Sequence, residues 1–269
     1  MRTDADHPVR PPGTGQPAPR LYWWKEVIYC AVFYTLYSRS RNTQGSASIS
    51  ATHGYRHARG VMRAERWLGI FYEEPIQKLF LGHKTFLQFW NVYYGTAHFI
   101  VTFVAIIWCY RKLPRRYQRM RNTLACMTGL ALIGFVSYPL MPPRLLPGHY
   151  GFVDTLKVYG GIWNFDSGAI AKASNQYAAM PSLHFGWATW CSTTLWPGAY
   201  QWWKKAGLVL YPCATLFGII VTGNHFFLDA VGGFVVFAIG LLLGTLTATW
   251  WDRRGHTARK LASGAPGEH

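Results

Sequence analysis

The chain has 269 residues, 50% hydrophobic and 17% aromatic, with 14% charged and a formal net charge of +16. Soluble domains carry about 25% charged residues, so this composition, with its apolar residues gathered in long runs, excludes an ordinary soluble globule. It also excludes a nucleic-acid binder: no binding module is visible, and the Lys and Arg loading of a membrane protein's cytoplasmic loops accounts for the charge.

The first twenty residues are polar and Pro-, Gly- and Arg-containing, with no apolar core of a signal peptide. They read as a disordered cytoplasmic tail (1–20), as does the basic segment 252–269. Between them, 21–251 reads as one membrane domain. A helix needs about 20 apolar residues to cross the hydrocarbon core, and six spans are predicted: 21–38, 86–110, 122–140, 181–197, 206–223 and 227–250. Trp and Tyr crowd several span ends, at Tyr22, Trp23 and Trp24, at Trp202 and Trp203, and at Trp250 and Trp251, as interfacial belts do. Within the long connection 39–85, the loosely helical spacing of Trp67, Leu68, Phe71, Ile76, Leu79 and Phe80 predicts an amphipathic helix over 64–81 lying on the membrane. The expected class is therefore an all-α integral membrane protein of six transmembrane helices plus an interfacial amphipathic helix.

The basic run 111–121 lies between two spans and would face the cytoplasm. Lys204, Lys205, Arg253, Arg254, Arg259 and Lys260 fall on the same side, where they can hold anionic membrane lipids. Both termini are then cytoplasmic. The five cysteines lack metal-ligand spacing and read as small packing residues.

Two stretches carry the chemistry. Met180-Pro181-Ser182-Leu183-His184 opens the fourth span, and Gly223-Asn224-His225-Phe226-Phe227-Leu228-Asp229 opens the sixth. In a six-span topology both lie at the outer face and can meet. Ionisable side chains at membrane depth are expensive and functional by default. His225 and Asp229, four apart, share one helix face. Three readings suit the set. His184, His225 and Asp229 could ligate a metal, although no Glu is placed as a base. They could be structural, bonded to backbone. Or they could transfer a phosphoryl group: one imidazole attacks phosphorus, the other protonates the departing oxygen, and Asp229 aims the nucleophile. This third reading needs an anion site. Arg144, in the proline-rich turn after the third span, offers a guanidinium fork matched to phosphate oxygens. Ser182 and the amides at the start of its helix are further candidates, and Asn224 reads as the N-cap of the sixth span. Asn91, Tyr94 and His98 share one face of the second span, as headgroup contacts or as interhelical hydrogen bonds. Asp154, Asp166, Asn175 and Gln176 could bind a sugar hydroxyl or line a solvated loop.

These motifs, with the Gly232-Gly233 that follows and Pro142-Pro143-Arg144-Leu145-Leu146, resemble the type 2 phosphatidic acid phosphatase superfamily over about 86–250. The likeness is nearest to its inositol phosphorylceramide synthase-like branch and more distant to sphingomyelin synthases. The resemblance implies that His225 is the nucleophile, Asp229 its orienting partner and His184 the general acid. It implies no metal and no cofactor. Two cations of the phosphatase pattern are replaced: Ser137 stands at the Lys spacing before Arg144, and Gly218-Ile219 stand where Ser-Arg would precede His225. The expected activity is metal-independent cleavage of a membrane lipid phosphoester through a phosphohistidine. The group then passes to a lipid alcohol or to water. A polyprenyl or phosphatidate-type lipid phosphatase is the alternative, and a non-catalytic lipid-binding or transport protein is the alternative of another class. The expected place is the plasma membrane, with the site facing outward.

Overall fold

A computed structural model describes residues 21–29, 31–32, 35, 51–160 and 177–262. Among them the regular structure is helical: α1 (Ala51–Leu68), α2 (Glu73–Phe80), α3 (Lys84–Lys112), α4 (Pro114–Ser137), the short α5 (Thr155–Tyr159), α6 (Leu183–Leu195), α7 (Trp202–Val221) and α8 (Phe227–Ala262), with three single 3-10 turns. Four of these are long and apolar enough to cross a membrane: α3, α4, α7, and α8 over Phe227–Trp251. Their outward residues, such as Phe103 on α3, Leu210 on α7 and Leu246 on α8, are exposed large hydrophobics, as a lipid-facing surface requires. The protein is a helical membrane protein.

Several boundaries differ from the sequence expectation. The basic run 111–121 is not a loop. Pro114 can start a helix because its missing N–H costs nothing in the first turn, so α4 begins there, directly after the Leu113 corner. The fourth predicted span is only the 13-residue α6, too short to cross the hydrocarbon core. It is enclosed by protein, packed against α3, α4, α7 and α8. Of the first predicted span, residues 23–29 are helical, and Arg121 of α4 donates to Glu26 at 2.7 Å; much of the rest, like 1–20 and 263–269, falls outside the described residues. The tail expected from 252 is helical as far as Ala262.

The predicted continuous helix 64–81 is also corrected. Gly69 takes φ +70, a left-handed conformation that favours glycine and stops α1. The chain restarts as α2 after the short linker 69–72. The break lets Glu65 on α1 and Glu73 on α2 both point inward, where neither has any exposed surface. In a single continuous helix the two residues, though roughly on one face, would stand about 12 Å apart along the axis.

The bundle closes most tightly along α4 and α8. Gly240 and Gly244 on α8 lie against Met127 and Thr123 of α4, where any side chain would collide. Such small-residue spacing lets membrane helices approach to backbone contact. α1 and α2 sit over one end of the bundle. His57 stacks on Tyr138 with ring centroids 4.1 Å apart, and its Nδ1 lies 2.7 Å from the Pro139 carbonyl. The Gln77 amide holds the backbone of Val153 from both sides, donating to its carbonyl at 3.0 Å and accepting from its N–H at 2.8 Å.

Candidate active site

The start of α6, the end of α7 and the start of α8 meet at the end of the bundle that α1 and α2 cover. Gly223, at φ +68, turns the chain from α7 towards α8. Two backbone bonds lock neighbouring segments to this corner: Arg144 N–H donates to the Gly223 carbonyl at 2.7 Å, and Ser182 N–H donates to the Asp229 carbonyl at 2.9 Å. Both conserve geometry between segments far apart in sequence. At Gly233 a Cβ would collide with the Ser182 carbonyl, which explains why the paired glycines follow the motif.

His225 Nδ1 lies 3.2 Å from Asp229 Oδ2. With the Nδ1 proton donated to that carboxylate, Nε2 carries the free lone pair. Nε2 is buried and has no partner among the described residues. Asp229 Oδ2 also accepts the Phe226 N–H at 2.9 Å, so the carboxylate holds both the ring and the turn that carries it. The His184 ring lies 5.6 Å from that of His225, centroid to centroid. It stacks on Tyr94 at 4.2 Å and meets the edge of His98 at 4.2 Å. His98 Nδ1 is in turn 3.1 Å from the Tyr94 carbonyl. The row on α3 thus divides. Tyr94 and His98 frame His184, whereas Asn91 points elsewhere: its amide donates to the Thr155 and Gly160 carbonyls at 3.0 and 2.9 Å and accepts from Thr155 Oγ1 at 2.9 Å. Both N–H donors of Asn91 thus go to the backbone at the two ends of α5.

Arg144 Nη1 donates to Asp154 Oδ2 at 2.8 Å, and its Nε donates to Asn224 Oδ1 at 2.9 Å. Asp154, expected in a loop, therefore orients the guanidinium and caps α5 through Lys157 N–H at 3.2 Å. Asp166, Asn175 and Gln176 lie outside the described residues. Asn224 is not the N-cap expected of it: its side chain is taken by Arg144 and by Thr222 Oγ1 at 2.8 Å. The opening amides of α8 go instead to Asp229 and to two carboxylates that sequence reading passed over, Glu73 for Phe227 N–H at 2.9 Å and Glu65 for Leu228 N–H at 2.8 Å. One signal could have found them: within the basic stretch 39–85 the only acids are Glu65, Glu73 and Glu74. Ser182 does stand at the N-cap of α6, with Pro181 before the helix rather than inside its first turn, and its buried hydroxyl makes no capping bond.

A void of about 10 Å³ lies between Tyr93, Tyr94, His98, His184, Thr215 and Ile219. It holds about one water and is not a phosphate pocket. Among the described residues no group of three or more His, Cys, Asp or Glu side chains is arranged to hold a metal ion.

A paired His–Asp at one helix start, facing a second His at another, is the arrangement in which the sequence comparison can be placed. The family model described as PAP2 superfamily matches residues 59–243. The chain belongs to the PAP2 superfamily. The match starts in α1 and so takes in Glu65 and Glu73 as well as both histidine motifs, reaching well before residue 86, where the motif resemblance began. No curated protein and no solved structure matches the chain. As a PAP2 superfamily member it is an enzyme of the phosphatase or phosphotransferase type.

Proposed function

We propose that this PAP2 member cleaves a membrane lipid phosphoester through a phosphohistidine on His225 and passes the phosphoryl or phospho-headgroup to a lipid alcohol or to water. The observation that carries the reading is the buried, unpartnered Nε2 of His225, on a ring whose other nitrogen faces Asp229, with the His184 ring 5.6 Å away. The Nε2 lone pair forms the N–P bond as the P–O bond to the leaving group breaks, and His184 protonates the departing oxygen. A lipid alcohol or water then attacks phosphorus, His184 takes its proton, and the N–P bond breaks. Arg144, the Ser182 hydroxyl and the amides at the start of α6 receive the phosphate oxygens.

The lipid is supported by a groove of about 530 Å³ whose wall is almost wholly apolar, lined by Ile70, Phe185, Leu216, Phe227, Val231 and Phe234 among others. Phe185 follows His184, and Phe227 stands two residues after His225, so a hydrocarbon chain in the groove leaves its phosphate near both rings. Filling the groove with Val231→Trp should weaken turnover of a long-chain lipid phosphate roughly 10-fold, since each displaced methylene removes about 0.8 kcal/mol of burial. A short, water-soluble phosphate ester should be unaffected; equal loss on both substrates would reject the groove as the chain site.

The guanidinium makes a second test. Arg144→Ala should lower kcat roughly 10²- to 10³-fold, the effect of losing one preorganised donor to a developing anion. Arg144→Lys should recover only part of this, because an ammonium lacks the fork that spans Asn224, Asp154 and phosphate. Full activity in Arg144→Lys would show that charge alone suffices. The thin set of cations, with Ser137 and Gly218-Ile219 where the phosphatase pattern has Lys and Ser-Arg, supports transfer between lipids over release of free phosphate. The deciding measurement uses phospholipid labelled at phosphorus. Acid-labile label on the wild-type protein, absent from His225→Ala, is expected; a labelled new lipid then marks transfer, and labelled inorganic phosphate marks hydrolysis. No trapped label under any lipid phosphate would overturn the reading. The site end of the bundle lies away from the basic corner at 111–121, and by the positive-inside tendency this supports an outward-facing site.

A further inference from the structure

Two buried glutamates behind the histidines have no part in the scheme above. Glu65 ends α1 and Glu73 begins α2, and each turns one oxygen to the start of α8: Glu65 Oε1 takes the Leu228 N–H at 2.8 Å and Glu73 Oε1 the Phe227 N–H at 2.9 Å. Asp229 Oδ2 takes the Phe226 N–H at 2.9 Å. Three successive amides directly after His225 are thus held by three different carboxyl groups. The first amides of any helix lack intrahelical partners and favour negative charge, but a single cap ordinarily suffices. The remaining oxygens, Glu65 Oε2 and Glu73 Oε2, are buried and accept from no N–H or O–H donor among the described residues. Instead the two carboxyl groups lie against one another, with Asp229 nearby on α8. No cation among the described residues pairs with either.

Two buried anions in that contact would repel without compensation, so one proton between them is required. Burial and the Glu73 contact push Glu65 up to about 9. Burial also raises Glu73, and the Glu65 contact offsets this only in part, so of the two Glu65 is the favoured holder of the shared proton.

We propose that Glu65 and Glu73 form a proton-sharing carboxyl pair that clamps the first turn of α8 and so fixes His225 for in-line attack. They are positioning residues, and the inference rests on His225 being the nucleophile. Glu65 donates its proton to Glu73, each keeps its free oxygen on a backbone amide, and the turn that carries His225 cannot rotate away from Asp229. When the proton is lost, two carboxylates face each other beside Asp229 and the clamp opens.

The test compares Glu65→Gln and Glu65→Ala in the full-length, detergent-solubilised protein. Gln imitates the protonated acid: its carbonyl accepts the Leu228 N–H and its amide donates to Glu73. It should retain most of the neutral-pH turnover of a labelled long-chain lipid phosphate while abolishing the fall in kcat expected of the wild type as pH rises through about 9. Glu65→Ala should lower kcat roughly 10- to 100-fold with KM nearly unchanged, the usual scale for a lost supporting partner. A second readout needs no turnover. The carbonyl stretch of a protonated carboxyl group is expected in the infrared spectrum of the wild type at neutral pH and should be lost in Glu65→Gln. Thermal stability should also separate them. The ordinary carboxyl value is 4.5 and the folded one about 9, so the folded wild type holds an extra proton between these values. Its stability is therefore fullest below pH 4.5 and is lost as pH rises through about 9; Glu65→Gln should lose that slope. An infrared band and a stability slope that are the same in both proteins would overturn the clamp, whatever the activity. A band and slope that behave as expected in a protein that turns over no lipid phosphate would leave the clamp standing and reject the function instead.

Discussion

His225→Ala is expected to lower kcat roughly 10⁴- to 10⁶-fold, the scale on which removal of a covalent nucleophile reads in other enzymes, and to leave the protein folded. The fold survives because Nε2 makes no bond that the bundle depends on, while the amide of Phe226 keeps its bond to Asp229 without the ring. Asp229→Asn separates aim from nucleophilicity. Its carbonyl oxygen or its amide can face Nδ1, and a wrong choice presents the ring with a donor where an acceptor is needed, selecting the tautomer that protonates Nε2. A fall on the order of 10⁴-fold is the precedent for that error. Size-exclusion profiles and thermal unfolding of both variants, taken beside initial rates on a lipid phosphate, check the pair. Activity within about 10-fold of wild type in His225→Ala would sink the covalent mechanism.

His184→Ala should cost roughly 10²- to 10⁴-fold, the range of one positioned acid or base, and the loss should depend on the leaving group. An alcohol departs poorly without a proton, whereas a nitrophenolate departs without help. A nitrophenyl phosphoester should therefore recover most of the first chemical step in this variant, and a lipid alkyl phosphoester should not. Burst kinetics would then show phosphoenzyme accumulating, since His184 is also needed to deprotonate the acceptor. Equal losses on both esters would remove His184 from the acid role and return it to packing between Tyr94 and His98, where the stacking geometry already places it.

How much of this was legible in the sequence differs by the range of the interaction. The His225–Asp229 pair was readable because an i,i+4 spacing fixes two side chains on one face without tertiary information. That His184 and Arg144 converge on it was expected from counting six spans; the motifs do meet, although α6 is only 13 residues long and is not among the four helices long enough to cross. The bonds that hold the site were not legible. Asn224 looked like an N-cap from its place before an apolar run, but the chain puts Arg144 beside it, and a charged donor outcompetes a local amide. Asn91 reads in sequence equally as a headgroup contact or as a hydrogen bond between helices, and its bonds to Thr155 and Gly160 fit the second. The length of α6 was hidden because its flanking residues 181–197 are apolar enough to count as a span, and hydropathy does not distinguish lipid from protein as surroundings. Gly69 stands inside the helix expected over 64–81, and nothing local says that the glutamates on either side of it, Glu65 and Glu73, are needed inside.

The hydrogen bonds from Leu228 to Glu65 and from Phe227 to Glu73 join residues 163 and 154 positions apart. Contacts of that separation form late, because the intervening chain must already be ordered before they can repay the entropy of closing it. In a protein made from its N-terminus and inserted segment by segment, α1 and α2 carry two acidic groups whose amide partners are absent until α8 arrives. Assembly of the corner around His225 therefore waits for α8, and a chain stalled before it would leave an acidic pair unpartnered at the bundle's rim.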